Sequence, residues 1–178
     1  MERQLIDLRD VKISGRILDI GGGGEGVIAR CFGNNVIAID RRRDELEESP
    51  DVGIKIVMDA RELMFLDNFF DNVTCFYSMM YMPDETTCKA LAEAYRVIKT
   101  GGFLWIWDAV MPVKFDDEVY IAHLDVVLPG EQFMVDYGVG WHRGQSLEDV
   151  TALCESAGFK VVEKTEVGES MFVKAVKI

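Results

Sequence analysis

Short apolar runs alternate with stretches of helical period along the chain, and glycines punctuate the alternation. Compact runs rich in Val and Ile predict strands at 16–20 (RILDI), 35–39 (NVIAI) and 54–58 (IKIVM), with a fourth at 72–77. A fifth, 103–107 (FLWIW), is apolar throughout, as a strand covered on both faces should be. Brief helices are expected at 27–32 and 42–48, and the strongest helical period spans 84–99. There Cys88, Leu91, Ala92, Tyr95 and Ile98 mark one side and Lys89, Glu93 and Arg96 the other. Asp84 and Glu85 suit its positive end, Lys99 its negative end, and Gly101-Gly102 a stop.

Residues 110–144 show no dominant period, so an irregular insert is expected there. Helical signals resume at Ser146, which with Asp149 forms a capping-box pattern before Val150, Leu153, Cys154 and Ala157, and Gly158 ends the run. Two last strands, 159–165 and 171–176, are joined around Gly168, a turn too short for a crossover, so they should pair antiparallel. Lys160, Glu163, Lys164 and Glu166 suit an edge, whereas Phe172, Val173, Ala175 and Val176 suit a covered position. The pattern is α/β, a mixed sheet within one domain over 1–178.

Composition narrows the partners. A formal net charge of -12 repels phosphate backbones and anionic lipid, which disfavours nucleic acid and membrane. The basic run Arg41-Arg42-Arg43 is followed by Asp44, Glu45, Glu47 and Glu48, which reads as a solvated helix face before a phosphate patch. Cys31, Cys75, Cys88 and Cys154 lack metal or disulfide spacing and are expected as buried free thiols. Neither a signal-peptide core nor a membrane-length apolar run is evident, so a cytoplasmic location is expected.

Candidate chemistry starts at Asp19-Ile20-Gly21-Gly22-Gly23-Gly24-Glu25-Gly26. A glycine turn after a first strand lets a ligand approach the backbone and aims helix N-terminal N–H groups into the crevice at the strand ends. Gly21, Gly23 and Gly26 also satisfy the dinucleotide fingerprint, with Asp40 at ribose distance, so NAD stays open at this point. Asp19 weighs against a pyrophosphate and favours a ligand carrying an ammonium group. With Asp40 and Asp59-Ala60, acids follow three successive strands, which suits a cationic amino-acid nucleoside.

On these residues the chain resembles the class I S-adenosylmethionine-dependent methyltransferase family, of the domain type 11/25 kind. Residues 17–30 (ILDIGGGGEGVIAR) are similar to its first motif, although the family's third glycine usually stands where Glu25 is, so a longer turn is expected. Phe70-Asp71-Asn72-Val73 resembles its FDxV signature, Met80-Tyr81-Met82-Pro83-Asp84 stands where many members have His-His-Leu-Pro-Asp, and 91–103 (LAEAYRVIKTGGF) resembles the next helix and strand. The resemblance implies a Rossmann-like, seven-stranded mixed sheet with a C-terminal antiparallel hairpin and helices on both faces. It implies S-adenosyl-L-methionine as cofactor, with Asp19, Gly21, Gly22, Gly23, Asp40, Arg41, Asp59, Ala60 and Phe76 as the binding set. Asp40 would take the ribose, Asp59 the adenine amino group and Ala60 the ring; Phe76 lines the donor pocket or simply packs the core.

The acceptor is less legible. Phe76-Tyr77-Ser78-Met79 lacks the Asn/Asp-Pro-Pro-aromatic pattern of base-nitrogen methylation. Tyr81, Asp108, His123 and His142, with Tyr137, are the candidates for proton handling, each with a bland structural role as its alternative. The spacing of His123, Asp125, Asp136 and His142 matches no metal pattern, so no metal is expected. The insert 110–144, with Phe115, Tyr120, Phe133, Tyr137 and Trp141, is expected to form an acceptor lid or a subunit contact. The favoured acceptor is a small or medium-sized metabolite, handled by a monomer or homodimer. Protein methylation and a non-catalytic donor-binding role remain alternatives, while the absence of a Tyr-x-x-x-Lys pair weighs against a reductase.

Overall fold

The structure, a computed structural model, describes residues 2–113, 118–140 and 143–178. In chain order its elements are β1 (Gln4–Asp7), β2 (Ile17–Ile20), α1 (Val27–Phe32), β3 (Val36–Asp40), α2 (Arg43–Glu48), β4 (Ile54–Val57), β5 (Phe70–Phe76), α3 (Asp84–Val97), β6 (Ile98–Ala109), β7 (Tyr120–Leu128), β8 (Glu131–Val139), α4 (Leu147–Ser156), β9 (Phe159–Val167) and β10 (Ser170–Lys177). Seven strands form one sheet in the order β4-β3-β2-β5-β6-β10-β9. The strands from β4 to β6 run parallel; β10 turns antiparallel to β6, and β9 antiparallel to β10. The charged strand takes the edge and the apolar one the interior, as their side chains dictate.

Alternation along each central strand explains its continuous apolar run. Ile17, Trp105 and Trp107 join one core layer with α1 residues Val27 and Ile28. Leu18, Ile20, Leu104 and Ile106 join the other, against Leu91 and Val97 of α3 and Val150 and Cys154 of α4. Both faces of the sheet are therefore buried, so both positions of the period are mostly apolar. The Ser146–Asp149 capping box forms at the start of α4.

Within 110–144, the described residues 120–139 are not irregular. β7 and β8 make an antiparallel hairpin through Pro129-Gly130, and β1 pairs parallel to β7, giving a second sheet in the order β1-β7-β8. Tyr120, Ala122, Leu124, Val126 and Leu128 turn inward and pack on the α1 side of the large sheet. Their period is masked in the sequence because Ile121 and Val127, also apolar, occupy outward positions. β1 was too short to register, although Ile6 and the following Leu8 are buried.

Two smaller expectations need correction. The buried face of α3 is Thr87, Ala90, Leu91, Ala94 and Val97, leaving Cys88 and Ala92 exposed. Small residues let the helix lie close on the sheet, and the bulkier Tyr95 sits at the border, against Phe159. The helix ends at Val97, and β6 begins before the glycine pair. All four cysteines are free, with Cys75 and Cys154 buried, Cys31 partly covered and Cys88 exposed. Among the described residues no helix is long and apolar enough to cross a membrane.

Candidate functional site

The carboxyl ends of β2, β3, β4 and β5 open on a cleft of about 590 Å3. Its floor is the turn after β2. Gly21 adopts φ 75° and lies so close to Ser78 that an added Cβ would stand 2.4 Å from the serine Cβ. A Cβ on Gly23 would stand 2.5 Å from Glu45 Cβ. The turn is pinned from beneath by Gly21 N and Gly22 N donating to Ile39 O at 2.8 and 3.0 Å, and by Gly24 N donating to Glu45 O at 2.9 Å. Side chains on Gly21 or Gly23 would push the backbone into the cleft.

Three aspartates from successive strands meet here, but in different states. Asp19 is 2% exposed and accepts a 2.7 Å hydrogen bond from Thr74 Oγ1. Burial raises its pKa to about 7, and the nearby charge of Asp40 adds to the rise. Asp40 Oδ1 accepts from the Arg42 amide at 2.8 Å, the first turn of the β3–α2 connection. Asp59 is held by Arg61 through the guanidinium, at 2.6–3.1 Å, and the backbone amide, at 2.9 Å, and these bonds keep its carboxyl below the usual range. Arg41 and Ala60 also border the cleft.

The far wall is aromatic. Phe76 is buried against Tyr77 and Trp107, with ring centroids 5.2 and 6.2 Å away. Tyr77 holds φ 48°, an uncommon conformation for a bulky residue, and its hydroxyl lies 2.5 Å from Ser170 Oγ. Tyr137 of β8 stacks on Tyr77 at 5.6 Å and presents its edge to Phe76 at 6.5 Å. Tyr81, 41% exposed, borders the opening. The β7–β8 hairpin therefore supplies a wall of the cleft, with residues 136–140 along it.

Of the proton-handling candidates, the structure brings Tyr81 and Tyr137 to the cleft but not Asp108 or His123. Asp108 lies on the Leu104 and Ile106 face of β6, turned away from the aromatic wall. It is fully buried and accepts from Met79 N (2.8 Å), Ala109 N (2.8 Å) and Gln145 Nε2 (2.9 Å). Burial raises its pKa to about 6 against those bonds. His123 sits on the outward face of the small sheet, Nδ1 2.9 Å from Asp136 Oδ1, which also accepts from Arg3 Nη2 at 3.0 Å. His142, Phe115 and Trp141 lie outside the described residues. Ser78 and Glu25 border the cleft without having been singled out. Ser78 Oγ donates to Ile20 O at 2.7 Å and ties the end of β5 to the glycine turn. Polar Thr74 and Ser78 in or just after an otherwise apolar strand were the available signal, as was Glu25, the one residue with a side chain between Gly21 and Gly26.

Residues 18–106, half of the chain, match the family described as a methyltransferase domain. The ubiquinone/menaquinone biosynthesis C-methyltransferase UbiE of Vibrio cholerae is 31% identical over 182 residues, covering 89% of this chain and 69% of that protein. Methyltransferase GfsG of Streptomyces halstedii is 29% identical over 184 residues, covering 95% of this chain. The chain spans only 61% of the length of GfsG. Among solved structures, a SAM-dependent methyltransferase from Methanosarcina mazei superposes with a TM-score of 0.67 at 17% identity, covering 94% of each chain, a likeness of fold.

Proposed function

The chain belongs to the methyltransferase-domain family, and from that premise we propose that it transfers a methyl group from S-adenosylmethionine to a small or medium-sized metabolite. One observation carries the reading: acids from the ends of three successive strands surround a glycine turn at the floor of one cleft. The cleft's volume, about 590 Å3, lies within the ordinary range for small-molecule sites. Gly21 and Gly23, where a Cβ would collide with Ser78 and Glu45, let the turn lie back against the protein and keep the cleft open. The donor set also fits: a buried carboxyl that is nearly half neutral at neutral pH lacks a cation, which an ammonium group supplies.

When bound, S-adenosylmethionine offers an electrophilic methyl carbon on a cationic sulfur. Around it, the Gly21–Gly23 turn would form the floor and Asp19 would face the amino-acid end. Asp40 would accept from ribose hydroxyls, Asp59 with Ala60 would border the adenine, and Arg41 would lie at that end. Phe76 and Tyr77 would supply an apolar wall beside the donor, where exclusion of water and alignment of the acceptor contribute most to rate. Tyr81 and Tyr137 are the hydroxyls placed to orient an acceptor or relay its proton. The formal charge of -12 supports a partner that is neither nucleic acid nor anionic membrane.

The test is calorimetric titration with S-adenosylmethionine and with NAD, for the wild type and Asp40→Ala. Micromolar binding of the sulfonium ligand, weakened at least tenfold by the substitution, is expected; tight NAD binding with none of the sulfonium ligand overturns the reading. Labelled donor incubated with size-fractionated cell extract should mark the small-molecule fraction. Label confined to protein would move the acceptor to a polypeptide.

A further inference from the structure

Two hydroxyls from β5 and the residues just after it reach across to the end of β2. Ser78 Oγ makes the backbone tie to Ile20 O. Thr74 Oγ1 instead donates to the Asp19 carboxylate, 2.7 Å from Oδ1, while Leu18 O lies farther off at 3.4 Å. Both partners of that bond are buried, with Thr74 0% and Asp19 2% exposed. Val73 and Cys75 on either side are buried too, and a valine at 74 would have the same shape without burying a hydroxyl. The threonine is therefore accounted for by its bond and not by packing. The bond also decides which carboxylate oxygen is left. Asp19 Oδ2 lies against the glycine turn, where a Cβ on Gly22 would stand 2.6 Å from it. Asp19 and Gly22 both border the cleft, and Thr74 stands behind them.

We propose that Thr74 is a positioning residue for the methyl donor: it holds Asp19 by one oxygen, leaves the other for the donor's ammonium group, and favours the ionised carboxylate that this contact requires. The proposal rests on the donor site described above and adds a residue that itself touches no ligand. A hydrogen bond donated to a carboxylate stabilises its charged form, whereas burial opposes it. At Asp19 burial and the charge of Asp40, at the end of β3, both raise the carboxyl, and the Thr74 hydroxyl works against them. The other titratable groups facing Asp19 are Cys75 of β5 and Tyr137 of β8. Burial pushes the thiol and the phenol well above their usual ranges, so neither changes charge around neutral pH. A pH dependence of ammonium binding in this range therefore reports on Asp19.

The experiment titrates the full chain with two probes by calorimetry, from about pH 5.5 to about pH 8.5. S-adenosylhomocysteine carries the ammonium group; 5′-methylthioadenosine has the same nucleoside without the amino-acid end. Thr74→Val keeps the bulk and removes the hydroxyl, Thr74→Ala removes both, and Thr74→Ser restores a hydroxyl. In the Val and Ala variants the midpoint of the pH-dependent rise in S-adenosylhomocysteine affinity should move up by about one unit, a loss of about tenfold on the acid side. The loss should shrink to within about threefold at the alkaline end, where the carboxyl ionises without help. Thr74→Ser should follow the wild type within about threefold, and 5′-methylthioadenosine should bind all four proteins alike. A deficit that stays constant with pH, falls equally on both probes, or is not repaired in Thr74→Ser overturns the role of Thr74. An unchanged pH profile in both the Val and Ala variants overturns it as well. Failure of the wild type to bind S-adenosylhomocysteine refutes the donor site itself, and the positioning role falls with it.

Discussion

At the scale of single residues, two buried aspartates, both raised by burial, differ in how fully their carboxyls are bonded. Asp19 accepts a hydrogen bond from Thr74 and borders the cleft, and its pKa rises from 3.8 to about 7. A carboxyl raised in the folded state contributes stability that is complete below its unfolded value and lost as pH climbs through the folded one. For Asp19 this window runs from about pH 4 to about pH 7 and is worth on the order of 4 kcal/mol. Asp19→Asn should therefore gain in melting temperature over the wild type as pH is raised from 5 to 8. A cationic donor prefers the ionised carboxyl, so wild-type affinity should rise from pH 5.5 to 7 with proton release in calorimetry, and the Asn variant should show neither. Pressure from a different direction applies to Asp108, whose two oxygens take three donors with no access to water. Asp108→Asn sets an amide N–H₂ against a backbone N–H, costing about 2–3 kcal/mol, or about 5–10 °C in melting temperature. Donor affinity should stay within threefold; a stable variant that cannot bind the donor would return Asp108 to the site.

At the scale of elements, the glycine turn is the most demanding piece. Gly23→Ala places a methyl group 2.5 Å from Glu45 Cβ, so either the turn or α2 must move. Overpacking of this kind costs about 1–3 kcal/mol, and donor affinity should fall at least tenfold; normal calorimetric binding by this variant would show that α2 yields instead. The core strands were legible because burial on both faces makes their runs mostly apolar. The hairpin β7–β8 and strand β1 were not. Ile121 and Val127 point outward yet are apolar, which erases the alternation that would have betrayed β7, and β1 has four residues of which Ile6 alone is buried. The same split holds at the site. Asp19, Asp40 and Asp59 could be placed because each lies at or beside the carboxyl end of a strand, where the crevice must be. Asp108 could not, because its role depends on side-chain parity in β6: it shares a face with Leu104 and Ile106 and is met there by Gln145. His123 likewise lies on the outward face of β7, opposite the inward row Ala122 and Leu124.

At the scale of the whole molecule, two sheets share one core layer, and β1 helps to bolt them together. Gln4 Oε1 accepts from Glu169 N at 3.2 Å, beside the β9–β10 turn, while Leu8 N donates to Val127 O at 2.9 Å. Ile6→Ala should cost roughly 2–4 kcal/mol and loosen the small sheet first. Hydrogen exchange is expected to speed up in β7 and β8 while amides of β2, β3 and β5 keep their protection; uniform acceleration would mean that the sheets open as one unit. The parallel pairing of Gln4–Asp7 with Leu124–Val127 also has a temporal side. During synthesis the opening strand emerges more than a hundred residues before its partner, so it must wait, unpaired, while the nucleotide-fold strands assemble behind it. Closure of that side of the cleft is thus deferred until the hairpin has left the ribosome, and a nascent chain stalled before that point would have its glycine turn without the β8 wall beside it.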